Sequence, residues 1–566
     1  MFQKTYEAMP SSRRADALAD TRARDLITAL VVTAIGTALA WGLAGGVPPI
    51  GIDDAAITRS YAENIANGAG YVYNVGGERV EGSTTILWTT ILTLLYLAAP
   101  SPEAPILALC FALATLAVFA AFRIVRLLTL RLGGRADAGV TILALFLVAA
   151  PGYFLWAVWT MMEVALWSAG LLGLLALLVA WAEDDGRGLE GPGRVVLLVL
   201  AMALPLIRPE GVAASVGLVA LTAILVPTFR SFGAITALAA IAVFAAVTIW
   251  RIDYFGQPFP NTFYAKVSSD RLQDLADGLK YMTSYVLGAP LVSAGIAAWI
   301  FASVWGLARL QMAEPGSRGL VVAGACVFGI LSVYAALGGD HFALWRFFQP
   351  ISPLVPIALS IALALALVAL PRGTATSWAI RLPAAAAVLL IIALGWLHYY
   401  QARFDVRKEF ALVEDGLAFG AYLNGVTPSP SIGVGPAGGI ALAYEGRIYD
   451  LLGLNWTEMA HAKSEKVGMR NHASFDKDTF WDHRPDVLAT FNRPCGADGT
   501  QSFWASNDDA FDGLFSDGRF REAFLPVQFR QGDVCWPGFA SHDWLGRVAG
   551  DDSVQALSWS DVEILR

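Results

Sequence analysis

Charge is what this sequence lacks most. Lys, Arg, Asp and Glu make up only 15% of its 566 residues, where a soluble globular chain carries about a quarter. The deficit is uneven: from about residue 27 to residue 400 long apolar runs alternate with short polar turns, whereas 401–566 reads as an ordinary globular domain. There is no phosphate loop of the Walker type and no Gly-x-Gly-x-x-Gly after a strand, which argues against a nucleotide site. A net charge of −8 supplies no basic surface for nucleic acid. No cleavable signal opens the chain: Met1–Asp25 is long and polar, carries Lys4, Arg13, Arg14, Arg22 and Arg24, and leads straight into an apolar run. It reads as a cytoplasmic tail, residues 1–26. No internal repeat is evident.

Hydrophobic residues reach 56%, and mean hydropathy is +0.55. Runs of about 18 or more apolar residues are long enough to span a bilayer. The loops carrying Arg123, Arg126, Arg131 and Arg135, then Arg187 and Arg194, Arg230, Arg318, and Arg372 with Arg381, are expected on the cytoplasmic side. About eleven crossings then fit, near 27–47, 104–122, 138–158, 164–182, 195–209, 212–228, 232–250, 284–309, 320–337, 350–370 and 383–399. Thr85–Ala99 is short for a span, and if it crossed it would put the arginine-rich loop outside; it is expected to lie in the interface. Parity places the N-terminus in the cytoplasm and residues 401–566 on the periplasmic side.

Four cysteines divide into two pairs. Cys110 and Cys326 lie in apolar helices and read as packing residues. Cys495 and Cys535 fall in the polar C-terminal domain, where an oxidising compartment would join them. The Glu183-Asp184-Asp185 run reads as a solvated turn.

Under this topology Asp53, Asp54, Glu81, Glu163, Arg208, Glu210, Asn261, Lys266, Asp340, His341 and Arg346 all fall at or near the outer face. Ionisable groups gathered at one membrane face suggest a site. Asp53 and Asp54 directly follow the first span; one of them is either a general base with a raised pKa or a cap for a helix beginning at Ala55. The loop Asn67–Asn74 and the segment Glu78–Thr84 offer glycine turns with Tyr and Asn side chains.

These segments carry a resemblance. Asp53-Asp54-Ala-Ala-Ile-Thr-Arg59 with Tyr61, Asn-Gly-x-Gly-Tyr-Val-Tyr-Asn, and Glu-Arg-Val-Glu-Gly-x-Thr through Leu87-Trp88 resemble the first outer loop of the GT-C glycosyltransferases. The similarity is to the branch holding the mycobacterial terminal arabinofuranosyltransferase and its proteobacterial relatives. Further matches follow in order: Met161-Met162-Glu163-Val164, Ile207-Arg208-Pro209-Glu210-Gly211, Pro260-Asn261-Thr262-Phe263-Tyr264-Ala265-Lys266, and Gly338-Gly339-Asp340-His341-Phe342 with Arg346. Tyr449–Leu454 resembles the C-terminal counterpart loosely. Two departures stand out: the usual Gly-Leu-Glu-Thr is Met161-Met162-Glu163-Val164 here, and the segment from His341 to Arg346 differs from the mycobacterial form.

The resemblance implies a GT-C fold: a polytopic α-helical membrane domain (27–400) with juxtamembrane helices in the first outer loop (50–100), followed by a periplasmic α/β domain (401–566). It implies a polyprenyl-phosphate sugar donor, most simply arabinofuranose, in a bacterial inner membrane. A donor already activated on a lipid agrees with the missing nucleotide loop. On this reading an inverting transferase uses Asp53 as base and Asp54 as its partner or a metal ligand. Lys266, His341, Arg346 and Arg208 are the cations for the lipid phosphate. Glu81, Asn261, Tyr264, Asp340 and Glu163 are candidates for substrate contact. Other readings stand beside these: Arg208 and Arg346 as snorkelling side chains, Lys266 as an interfacial anchor, Asp340 as a loop residue bonding its own backbone. Asp54 with Glu163 would hold a hard ion, Mg²⁺ or Mn²⁺, or Glu163 pairs with Arg208 or Arg59. The acceptor is an envelope glycan or a pilin-like protein. The alternative is a non-catalytic lipid-linked-sugar transporter or envelope assembly factor on the same fold. Trp456, Trp481, Trp504, Trp536 and Trp544 are expected mainly in the core of the outer domain, and Ser431–Gly439 as a strand–turn connection.

Overall fold

The computed structural model describes residues 21–184, 189, 191–267, 270–312, 314–369, 375–462, 474–489, 495, 501–504, 508, 510–548 and 550–565. Most of the N-terminal tail, including Lys4, Arg13 and Arg14, lies outside the described residues, as do Arg187, Arg372 and the side chains of Arg381 and Trp504. The chain divides into two compact units. The first gathers Met1–Pro49, Ala104–Ala246 and Ala276–Asp405; the second gathers Ile50–Glu103, Val247–Leu275 and Val406–Arg566.

Among the described residues seven helices are long and apolar enough to cross a membrane: Arg22–Leu43, Glu103–Arg131, Val164–Ala182, Pro227–Phe255, Pro290–Met312, Ser317–Ala336 and Leu382–Leu423. An eighth span forms if Ala136–Val148 and Pro151–Trp159, bent by 71°, are taken together. Gly191–Ile207, Gly211–Leu225 and Ile357–Ala369 occupy the remaining expected spans but are shorter. Large apolar side chains face outward along these helices, Leu238 at 65% and Phe301 at 74% exposure; such surface is unfavourable in water and natural against lipid. This is a multi-pass membrane protein.

In the first unit, the helix Glu103–Arg131 runs well past residue 122, where the expected span ended. The extension is held by charge pairing: Asp25, 1% exposed, takes two bonds from Arg126 at 2.6 and 2.8 Å and a third from Arg123 at 2.8 Å. Glu183 corrects the expectation of a solvated turn. It is buried, and its carboxylate accepts the backbone N–H groups of Gly316 and Gly319, each at 2.7 Å, at the start of the helix Ser317–Ala336. The unpaired amides of a helix N-terminus attract an anion there. Cys110 and Cys326 are free and buried.

In the second unit, the helix Ile86–Ala98 has 13 residues, about 20 Å of helix against a hydrocarbon core of about 30 Å. It packs along the helix Asp53–Ala66. The C-terminal part builds a six-stranded sheet in the order β2-β1-β3-β6-β5-β7, from β1 (Ile432–Val434), β2 (Ile448–Asp450), β3 (Val487–Ala489), β5 (Phe524–Gln531), β6 (Val534–Ser541) and β7 (Val554–Ala556). The strands β1, β2 and β3 run parallel, and β3–β6, β6–β5 and β5–β7 pair antiparallel. β4 (Gln501–Trp504) and β8 (Val562–Leu565) form a separate parallel pair. Trp456 and Trp544 are buried in its cores, with Trp481 and Trp536 packed against them. Cys495 is bonded to Cys535 on β6, their Cα atoms 5.7 Å apart.

Candidate active site

The helix Asp53–Ala66 starts where Gly51, with φ of 81°, turns the chain and Ile52 is extended. Asp53 and Asp54 fill its first turn, where negative charge is favoured. The expectation of an Asp cap is not met: Ile52 is the N-cap residue and no side chain caps the helix. The Asp53 carboxylate instead accepts N–H from Gly438 at 2.9 Å and from Gly439 at 2.7 Å. Those amides open the short turn of helix that follows β1, so the glycine stretch expected as a strand–turn connection also clamps Asp53. A Cβ on Gly438 would lie 1.8 Å from the Asp53 carbonyl oxygen, so only glycine fits. Asp53 is 5% exposed. Burial raises its carboxyl to about 6; the Gly439 and Gly438 amides oppose the rise, and the charge of Asp54 adds to it.

A second buried carboxylate was not singled out from sequence. Asp450 ends β2 and accepts N–H from Leu452 at 3.0 Å and both the backbone and side-chain N–H of Asn455 at 2.8 Å. Burial raises it to about 6 as well, opposed by those Asn455 and Leu452 bonds, with the charge of Asp53 adding to the rise. Asn455 in turn accepts the Tyr61 hydroxyl at 3.1 Å, and Tyr61 accepts the Gly82 N–H at 3.1 Å. The only signal for Asp450 was its place in Tyr449–Leu454.

The remaining residues of the second unit divide by role. Glu81, expected near substrate, is joined by two bonds of 2.8 and 2.9 Å to Arg251, and both side chains are 2% exposed. Asn261 donates its backbone N–H to the Glu81 carbonyl and its side-chain N–H groups to the Gly453 and Leu454 carbonyls at 2.8 and 3.0 Å. These two positions thus hold the loops together. Tyr264 stacks against His461 with centroids 4.2 Å apart, and Lys266 ends the helix Asn261–Lys266, half-buried. Arg59 is buried and bonds Tyr96, the Ile50 carbonyl and Glu103.

In the first unit, Glu163 and Glu210 both pair with Arg208, and Tyr334 donates to Glu210 at 2.9 Å. Arg208 occupies a tight turn: a Cβ on Gly211 would come within 2.1 Å of the Leu204 carbonyl oxygen. Of the alternatives for Glu163, the pairing with Arg208 is the one observed. The structure shows Arg208 paired with these two carboxylates. Asp340, nearly buried, accepts from Arg346 Nε at 2.7 Å and from the His341 backbone N–H at 3.0 Å. It is therefore both a loop residue and a partner for Arg346. Arg346 lies over the ring of Phe342 at 4.2 Å and of Phe347 at 4.9 Å, and His341 stays one-third exposed. Leu344 and Trp345 both adopt left-handed backbone, φ 61° and 51°. Such strain costs about 1–3 kcal/mol per residue and gathers at functional sites.

For the expected divalent ion the donors do not fit. Among the described residues no three His, Cys, Asp or Glu side chains form a metal-holding group, and Glu163 is taken by Arg208.

Neither a family model nor a curated protein matches this sequence. Among solved structures, ArnT from Cupriavidus metallidurans in the apo state matches at a TM-score of 0.50 and 12% identity, over 90% of this chain and 97% of that one. The same ArnT bound to undecaprenyl phosphate matches at 0.49 and 14% identity, over 81% and 92%. An oligosaccharyltransferase of Archaeoglobus fulgidus matches at 0.49 and 11% identity, over 91% and 73%. The apo ArnT match shows a shared fold: this chain has a GT-C-like architecture of apolar helices followed by a C-terminal sheet domain.

Proposed function

We propose that this chain is a glycosyltransferase that moves a sugar from a polyprenyl-phosphate donor to a hydroxyl of an envelope glycan or a pilin-like surface protein. The reaction takes place at the periplasmic face of a bacterial inner membrane. The sequence resemblance favours arabinofuranose as the sugar and inversion at its anomeric carbon. The observation that carries the reading is Asp53, a buried carboxylate held by two backbone amides and raised to about 6 on a GT-C-like fold. A base for a hydroxyl works best with a pKa near the operating pH. The Cys495–Cys535 bond favours the periplasmic placement of the C-terminal part.

In the proposed step Asp53 takes the proton of the acceptor hydroxyl as its oxygen bonds to the anomeric carbon. The bond from that carbon to the phosphate oxygen breaks, and its electron pair leaves with the polyprenyl phosphate. Asp54 assists Asp53 by orienting it. The sequence resemblance assigns Lys266, His341 and Arg346 to the leaving phosphate, whose growing charge needs fixed cations; Arg346 also donates from Nε to Asp340 and from Nη1 to the Met162 sulfur. Glu81 and Asn261 position the loops, and Arg208 holds Glu163.

The test uses purified protein in lipid nanodiscs with labelled polyprenyl-phosphate sugars, polyprenyl-phosphoarabinofuranose first, and matching nucleotide sugars as controls. Release of polyprenyl phosphate with sugar on an acceptor supports the reading. Turnover of the nucleotide sugars alone, or of none of the donors with any glycan or protein acceptor, rejects it.

A further inference from the structure

Asp53 has a neighbour that the proposed step leaves unused. Asp450 is in register with Val434, so it closes β2 beside the end of β1, and the Leu451 N–H donates to the Val434 carbonyl at 2.8 Å. The turn that clamps Asp53 begins a few residues beyond Val434. Asp450 and the Asp53 clamp therefore meet at the carboxyl ends of two adjacent parallel strands, the edge of an α/β sheet where ligands collect.

Both carboxylates are buried, Asp53 at 5% and Asp450 at 1% exposure. Among the described residues neither has a lysine, arginine or histidine partner; their bonds come from amides. Even hydrogen-bonded, an ion taken out of water carries a desolvation penalty, and a corner built only for packing would not need two. The helix of Asp53 carries Asp54 beside it, Arg59, which pairs with Glu103, and Glu63 further along, while Gly438–Ala441 offers no ionisable group. Tyr73 feels the charge of both carboxylates and donates its hydroxyl to the Ala437 carbonyl at 2.5 Å, and Tyr61 reaches Asp450 through Asn455. The charge of Asp53 bears on Asp450, and such an interaction is mutual.

We propose that Asp450 is a positioning residue for Asp53, a second uncompensated carboxylate at the same strand ends that keeps Asp53 ready to accept a proton. This rests on the role of Asp53 as base.

The experiment is the pH profile of kcat/KM for sugar transfer by the full-length protein in nanodiscs, comparing wild type with Asp450→Asn and Asp450→Glu. Asp450→Asn removes the neighbouring charge and is expected to move the acidic limb to lower pH by roughly half a unit or more, and Asp450→Glu to move it back. An unmoved limb in Asp450→Asn overturns the proposal, whatever its rate. A second measurement stands apart from activity and from the folding of that variant: carbon-13 NMR titration of labelled aspartate carboxyls in wild type and Asp53→Asn. The Asp450 midpoint is expected to fall when Asp53 loses its charge, and an unchanged midpoint overturns the coupling. If wild type shows no acidic limb, or Asp53→Glu leaves it in place, the base assignment fails while the titration still decides the pair.

Discussion

Replacing Arg251 with methionine should loosen the second unit more than any single surface change. Arg251 and Glu81 are each 2% exposed and share two bonds of 2.8 and 2.9 Å. Burial pushes the Glu81 carboxyl up, and the bond to Arg251 holds it down. Without Arg251 the Glu81 carboxylate is a buried charge with no counter-ion. Breaking such a pair from one side costs about 3–5 kcal/mol. At about 2–4 °C per kcal/mol for a unit of this size, melting should fall by roughly 6–20 °C. The damage should spread, because the Glu81 carbonyl receives the Asn261 N–H, and Asn261 holds the Gly453 and Leu454 carbonyls. Intrinsic tryptophan fluorescence during heating, in detergent and in nanodiscs, reads the transition. The double variant Glu81→Gln with Arg251→Met should recover part of the loss, since it removes both charges. Melting of Arg251→Met within about 1 °C of wild type would refute the reasoning, as would a double variant worse than the sum of the two singles.

Other outcomes follow from the same contacts. Gly438→Ala places a methyl 1.8 Å from the Asp53 carbonyl oxygen; it should cost about 1–3 kcal/mol and lower transfer more than donor binding, read as kcat against KM. Glu183→Gln weakens the clamp on Gly316 and Gly319; melting should fall by the equivalent of about 1–3 kcal/mol, while the pH profile of activity stays in place. Asp53 and Asp450 both have folded pKa values near 6, above the ordinary value of 3.8. The folded state then binds more protons than the unfolded one between pH 4 and 6, so these groups favour folding increasingly as pH falls through that window. Asp53→Asn/Asp450→Asn should therefore flatten the dependence of melting temperature on pH there. Unfolded, unreduced protein should label at two thiols, Cys110 and Cys326, and at four after reduction, counted by mass after maleimide treatment.

Much of the architecture was legible because bilayer physics writes itself into composition. The apolar runs carry helices where expected, although Ile86–Ala98, expected in the interface, and Ile357–Ala369, expected to cross, both have 13 residues. Pairings between distant positions were not legible. Arg251 reads as the end of an apolar helix, and its partner Glu81 lies 170 positions away. Asp53 was marked by its neighbours in sequence, whereas the amides that hold it lie 385 and 386 positions on. Glu183 was misread because adjacent acids look solvated, and nothing local reveals that a helix start at Gly316–Gly319 receives one of them. Arg126 was expected in a loop; the buried Asp25 and the nearby Asp137 keep it on the helix. Arg208 shows the converse. Its partner Glu163 was among the pairings weighed from sequence, because charge complementarity at one membrane face leaves few choices.

The most direct test of the account is the rate of sugar transfer from a polyprenyl-phosphate donor between pH 5 and 8, for wild type and Asp53→Asn. The account predicts a wild-type rate that falls below about pH 6, where Asp53 becomes protonated, and a loss of about 10²–10⁴-fold at neutral pH in the variant. Transfer by Asp53→Asn at the wild-type rate, with the same acidic limb, would contradict it.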